Sequence, residues 1–182
     1  MSSSGEQMSW LERLGERIPG YSGYARRERR RDMDKLHREH LADRLRGVKT
    51  PLTDFMRELT SSGRLMEIGS LDRVIKKLDR IENRVRFASY GYSGFFDAQK
   101  MDEPQLDAIH RFDLALVERV DAIDERAREL GSKAGDAGGL KSAAAEIERA
   151  VDELDRTFDE RYSAINNFRD DSSQEGQPMF GS

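Results

Sequence analysis

The sequence predicts an all-α helical bundle. Three observations carry that prediction. Apolar residues recur at alternating three- and four-residue steps along most of the 182 residues, the spacing that lays a single stripe along a helix. Only 4 prolines interrupt a chain that is 36% charged and 36% hydrophobic, so long amphipathic helices meet few breaks. No stretch alternates apolar and polar residues beside turn residues, as a half-buried strand would.

Each element has its own signals. Ser9 caps a short first helix carrying Trp10, Leu11, Leu14 and Ile18, stopped by Pro19-Gly20. A second helix runs from about Tyr24 to Arg46 and ends at Gly47. Thr50-Pro51 reads as an N-cap followed by proline at the first helical position. It opens a third helix with Leu52, Phe55, Met56 and Leu59, which ends at Ser61-Ser62-Gly63. Ser70 caps a fourth, with Leu71, Val74, Ile75, Leu78, Ile81 and Val85. Glu103-Pro104 begins a fifth, with Leu106, Ile109, Phe112, Leu116, Val117, Val120, Ile123 and Leu130. Residues 131–139 read as a flexible linker of small side chains. The sixth helix carries Ile147, Val151, Leu154, Phe158, Tyr162 and Ile165, a near-heptad seam fit for a bundle or for self-association as a coiled coil. These elements make one helical-bundle domain over residues 8–168, with residues 1–7 disordered and a disordered tail over 169–182.

A short string breaks this pattern twice, as Gly20-Tyr21-Ser22-Gly23-Tyr24 and as Gly91-Tyr92-Ser93-Gly94-Phe95. Glycine at both ends lets a helix stop and the chain turn. Each copy is followed by Asp-x-(Leu/Ile)-His-Arg, at Asp34–Arg38 and at Asp107–Arg111. The pattern suggests a duplicated helix–joint–helix unit, about 10–46 and about 77–130. It also concentrates aromatics at the joints, where Tyr21, Tyr24, Tyr92, Phe95 and Phe96 either plug the bundle or dock a partner. The glycines are not a phosphate loop, because no Lys-Ser/Thr follows and no strand precedes them.

Ile18-Pro19-Gly20-Tyr21-Ser22-Gly23-Tyr24 and Tyr90-Gly91-Tyr92-Ser93-Gly94-Phe95-Phe96-Asp97-Ala98 resemble signature strings of an uncharacterised all-helical bacterial family. The resemblance covers about residues 10–130 and implies a helical fold without implying an activity.

Composition narrows the function further. There is no cysteine, which excludes disulfides, thiolate metal sites and thiol catalysis. No run approaches the length of a transmembrane span. The first residues lack the charged and apolar regions of a secretory signal, so a cytoplasmic protein is expected. The amphipathic first helix is read as docking on the bundle rather than on a membrane surface. Residues 1–91 hold 20 Lys+Arg against 14 Asp+Glu, and residues 92–182 hold 11 against 21. The halves are therefore expected to pack with complementary fields, or else to present a basic face to an acidic partner.

Three functional readings follow. The favoured one is a non-catalytic, cofactor-free interaction or scaffold protein. It binds another protein through Tyr21, Tyr24, Tyr92, Phe95 and Phe96 and through Arg26, Arg27 and Arg30 at the start of an arginine-rich helix. The second is a dimetal carboxylate bundle using Asp34, His37, Asp107 and His110, since Asp-x-x-His places both groups on one helix face. It is disfavoured because, at about 100° per residue, His37 lies within its helix's apolar stripe but Asp107 and His110 lie off theirs. His40 and His110 are accordingly expected at an edge or exposed. The third is a phosphate-backbone binder using Arg26 to Arg31, disfavoured by interleaved acids and a sequence pI of about 5.5. No catalytic constellation stands out. Asp113 falls inside the apolar stripe of its helix and needs a partner, such as an arginine from another helix.

Overall fold

Four long helices and a short N-terminal one make up the computed structural model, which describes residues 12–20, 30–88, 103–133 and 135–174. Helix α1 spans residues 12–17. The long helices are α2 (Arg30–Ser61), α3 (Ile68–Phe87), α4 (Glu103–Lys133) and α5 (Ala137–Gln174). A 3-10 turn, Leu65–Glu67, leads into α3. The fold is all-α, and no strand occurs among the described residues.

The predicted break at Gly47 and Thr50-Pro51 does not occur, because α2 runs through it with Pro51 inside. The seam explains why. Leu41, Leu45, Val48, Leu52 and Leu59 are buried to 1% exposure or less, and with Phe55 they repeat at 4-3-4-3-4 across the proline. A proline inside a helix costs roughly 3 kcal/mol. Burying Val48 and Leu52 on either side recovers about 1.5–3 kcal/mol each, so packing wins over local propensity. The α2 terminus does fall where predicted. Gly63 has φ 75°, the Gly63 amide bonds to the Thr60 carbonyl, and the Arg64 amide bonds to the Leu59 carbonyl. This pair of bonds closes a helix on a left-handed glycine.

Three further boundaries depart from expectation. Ser70 does not cap α3, which begins at Ile68 without a side-chain cap because the preceding 3-10 turn already feeds it. The expected linker over 131–139 shrinks, since α4 extends to Lys133 and α5 starts at Ala137. Asp136 makes this possible by capping α5, its carboxylate accepting the Gly139 amide at 2.7 Å. The disorder expected from residue 169 meets a helix that continues to Gln174.

The helices form a square in which α2 packs on α3 and α4, and α5 packs on α4 and α3. Contacts set their directions. Arg44 pairs with Asp121 and His37 meets Asp113, so α2 and α4 run parallel. Lys77 pairs with Asp152 and Arg80 with Asp155, so α3 and α5 run parallel to each other. Helix α1 lies against α4, with Leu14 and Ile18 fully buried and Arg13 and Arg17 paired to Glu118. It docks on the bundle, as its composition suggested. The opposite charges of the two halves meet within the molecule, through Arg44 with Asp121 and through Lys77, Arg80 and Arg84 with Asp152, Asp155 and Asp159.

Candidate functional site

At one end of the square the apolar core gives way to charge. On α2, the seam of Leu41 and Leu45 continues backwards at four- and three-residue steps to Arg38 and Asp34. On α4, the seam Leu116, Val120, Ile123 continues back to Asp113. On α5, the seam Ala144, Ile147, Val151, Leu154, Phe158 continues forward to Arg161 and Ile165. All four charged residues are buried, at 6% exposure for Asp34 and Arg38, 3% for Asp113 and 1% for Arg161. One layer of a heptad-packed core is thus ionic.

The layer is closely bonded. Arg161 Nε donates to Asp113 Oδ1 at 2.6 Å, and its Nη2 donates across the diagonal to Asp34 Oδ1 at 2.9 Å. Arg38 Nε donates to Asp34 Oδ2 at 2.8 Å, and its Nη1 donates to the Arg86 carbonyl near the end of α3 at 3.2 Å. One guanidinium therefore ties α5 to both α2 and α4, and the second ties α2 to α3. The two carboxylates and two guanidiniums neutralise each other, which is the condition for burying charge at tolerable cost.

Two histidines complete the layer. His37 Nε2 donates to the Asp113 backbone carbonyl at 3.1 Å. Its Nδ1 lies 3.5 Å from Asp113 Oδ1 without a hydrogen bond. His110 Nδ1 lies 3.9 Å from Asp113 Oδ2. Burial is the main reason that both imidazoles are held below the usual histidine range, with Arg161 adding to it, and His110 is pushed down to about 4. Burial pushes the Asp113 carboxyl up, but Arg161 and the two imidazoles outweigh it and the net direction is down. Neutral histidines and an ionised Asp113 are the outcome at neutral pH.

The structure corrects the placement of His110, expected at an edge and found 6% exposed. A helix at the corner of a square has two neighbours, so its buried face is wider than one stripe. His110 lies on the side of α4 toward α2, and Asp113 on the seam shared with α5. His40 is half-buried. Asp34 and His37 join this layer, and Asp107 is half-buried near it. The four residues do not gather into the ligand set of the disfavoured dimetal reading. Both Asp34 oxygens are held by arginines, and no group of three or more His, Asp or Glu among the described residues could hold a metal ion. Tyr21, Tyr24, Arg26, Arg27, Tyr92, Phe95 and Phe96 lie outside the described residues, and of Arg30 only the backbone at the start of α2 is described.

Sequence reasoning missed Arg161 and Arg38. The signal was present: the last seam reads 4-3-4-3-4 only if it passes through Arg161, whereas Tyr162 breaks the step. Tyr162 is 41% exposed. Phe87, at the end of α3, is 65% exposed. The parallel register set by Arg80–Asp155 and Arg84–Asp159 brings residues 87 and 162 level with each other on the outer surface. Arg84 also stacks over the Phe158 ring at 5.4 Å. A second exposed apolar pair, Leu65 and Met66, marks the opposite end at the α2–α3 turn.

No family model matches the chain, and no curated protein or solved structure does either, so the likeness to a helical bacterial family rests on its two strings alone. No helix among the described residues is long and apolar enough to cross a membrane.

Proposed function

We propose that the chain is a non-catalytic, cytoplasmic interaction or scaffold protein that binds another protein at the end of the bundle holding the ionic layer. The observation that carries this reading is the exposure of Phe87 at the last position of α3. It lies level with the outward-facing Tyr162 and stands four residues before Gly91, where the second aromatic string begins. Large exposed aromatics are what interface hot spots are made of. The buried carboxylates, by contrast, are both held by guanidiniums, so they offer no free base to a substrate. The α5 seam is filled from within the chain by Ile147, Val151, Leu154 and Phe158, which leaves the end surface rather than that seam for docking.

The test is affinity capture from the native host's extract by wild-type protein and by a Phe87→Ala/Tyr92→Ala variant shown by circular dichroism to be folded. Loss of a partner held by wild type supports the reading. Retention of every partner by the folded variant assigns these rings to architecture instead.

A further inference from the structure

The contacts around His37 contain a conflict that neutral histidine cannot resolve. Its Nε2 faces a backbone carbonyl at 3.1 Å and its Nδ1 faces a carboxylate oxygen at 3.5 Å. Both neighbours only accept hydrogen bonds. A neutral imidazole carries one proton, so one ring nitrogen must turn a bare lone pair toward an oxygen. With the proton on Nε2, Nδ1 is the orphan. A gap of 3.5 Å is too short for a bridging water, and only a second proton on the ring satisfies both sides.

That proton has a consequence for the rest of the layer. Asp113 Oδ1 already accepts from Arg161 Nε at 2.6 Å. A proton on His37 Nδ1 makes it a second, competing donor to the same oxygen. We propose that the ionic layer is a proton-operated latch: a proton taken up from solvent onto His37 Nδ1 draws Asp113 from Arg161 to His37 and loosens α5 at this end of the bundle. His110, 3.9 Å from Asp113 Oδ2, adds a second proton to the same carboxylate's surroundings.

The groups facing these imidazoles are Asp34 and His40 from α2, Asp113 and Asp107 from α4, and Arg161 from α5. The carboxylates favour the added proton and Arg161 opposes it. Helix α3 reaches Arg38 through the Arg86 carbonyl. Its Glu82 is held by Lys49 and Arg46, and its Arg86 guanidinium by Asp43 and Glu82. Two carboxylates and two guanidiniums balance in the core, so each added proton leaves it with net positive charge in a dry site. All 3 histidines of the chain are at this end, so titration between pH 7 and 5 acts there and leaves the leucine-lined layers alone. The proposal does not depend on the identity of a partner.

Hydrogen exchange on the full chain between pH 7.5 and 5, corrected for intrinsic rates, tests it. The expected result is that protection over 34–41, 109–116 and 158–165 falls by about tenfold or more, while 48–59, 71–78, 120–130 and 144–151 keep theirs. A carbon-13 NMR titration of the histidine rings should place the His37 and His110 transitions below that of a free histidine. His37→Gln should blunt the loss of protection. Unchanged protection at this end, loosening spread evenly over every layer, or His37 and His110 titrating like free histidine would each overturn the latch. The wild-type measurements decide it even if the variant does not fold.

Discussion

Arg161 is the residue on which this end of the molecule turns. It is a long, fully buried cation that holds Asp113 and Asp34 at once, and its planar fork is what allows two carboxylates to be gripped from one side chain. Arg161→Met should destabilise the fold by about 3–5 kcal/mol, because Asp113 is left buried without a cation and Asp34 keeps only Arg38. Replacing all four groups together, Asp34→Leu, Arg38→Met, Asp113→Leu and Arg161→Met, should recover most of that loss, since a filled apolar layer has no charge to satisfy. Urea midpoints of the single and quadruple variants measure both. A lysine at 161 is a poor substitute, because an ammonium cannot present two parallel donors. The same layer sets the response to acid. His110 has a folded pKa of about 4, below the ordinary 6.5. The unfolded chain therefore binds its proton first as pH falls. Stability from this group is complete above pH 6.5 and is lost progressively down to about pH 4, by about 3 kcal/mol. The direction for His37 is the same, and Asp113, also lowered, extends the loss below its ordinary range. Denaturation midpoints should fall steadily from pH 7 to pH 4; a flat profile would mean that the imidazoles are not held neutral.

At the level of elements, the heptad explains what was legible and what was not. The stripes of α3 and α4 could be read directly, because Leu71, Val74, Leu78 and Ile81, or Val120, Ile123 and Leu130, are apolar and periodic. The α2 stripe could also be read, yet Pro51 and Gly47 suggested two helices, because local breakers are visible in a sequence and the neighbours that override them are not. Arg161 was passed over for Tyr162 for a related reason. A search for apolar residues skips a charged one, although the spacing alone placed it in the core. The joints were legible as sequence but fall outside the described residues. The proline makes a prediction at this scale. Pro51→Ala restores an amide to the Gly47 carbonyl and should raise stability by about 1–3 kcal/mol. Thermal unfolding reads this, and a lower midpoint would show that the ring's own packing outweighs the missing bond. Two adjacent glycines at the start of α5 should behave oppositely. A Cβ at Gly139 would sit 2.8 Å from the Lys133 carbonyl oxygen, whereas at Gly138 the nearest atom is Asp136 Oδ1 at 3.4 Å. Gly139→Ala should therefore strain the α4–α5 turn and lower the midpoint despite alanine's better propensity, and Gly138→Ala should be neutral or mildly stabilising, by up to about 1 kcal/mol. Equal effects at the two positions would remove the close approach as the cause.

At the scale of the whole molecule, the uneven charge of the two halves serves to align parallel neighbours. Helices α3 and α5 run side by side in the same direction, an arrangement that apolar stripes alone fix weakly because both seams repeat with the same period. Their charges are not interchangeable. Lys77 sits between Glu148 and Asp152, Arg80 opposite Asp155, and Arg84 between Asp155 and Asp159. A slide of one turn would leave an end of this ladder unpaired. Each bridge is at least partly exposed and contributes only about 0.2–1 kcal/mol, so the ladder selects register more than it supplies stability. Reversing the α3 side with Lys77→Glu, Arg80→Glu and Arg84→Glu exchanges attraction for repulsion, and should destabilise on the order of 2–4 kcal/mol at low salt. The penalty should shrink to less than half in 1 M salt, where the screening length falls to about 3 Å. Adding Asp152→Lys, Asp155→Lys and Asp159→Lys should restore most of the lost stability, because the ladder is rebuilt with its signs exchanged. Denaturant midpoints of wild type, triple and sextuple variants at two salt concentrations complete the test. A triple variant as stable as wild type, or a sextuple no better than the triple, would show that the apolar seams set the register by themselves and that the charge asymmetry serves something outside the chain.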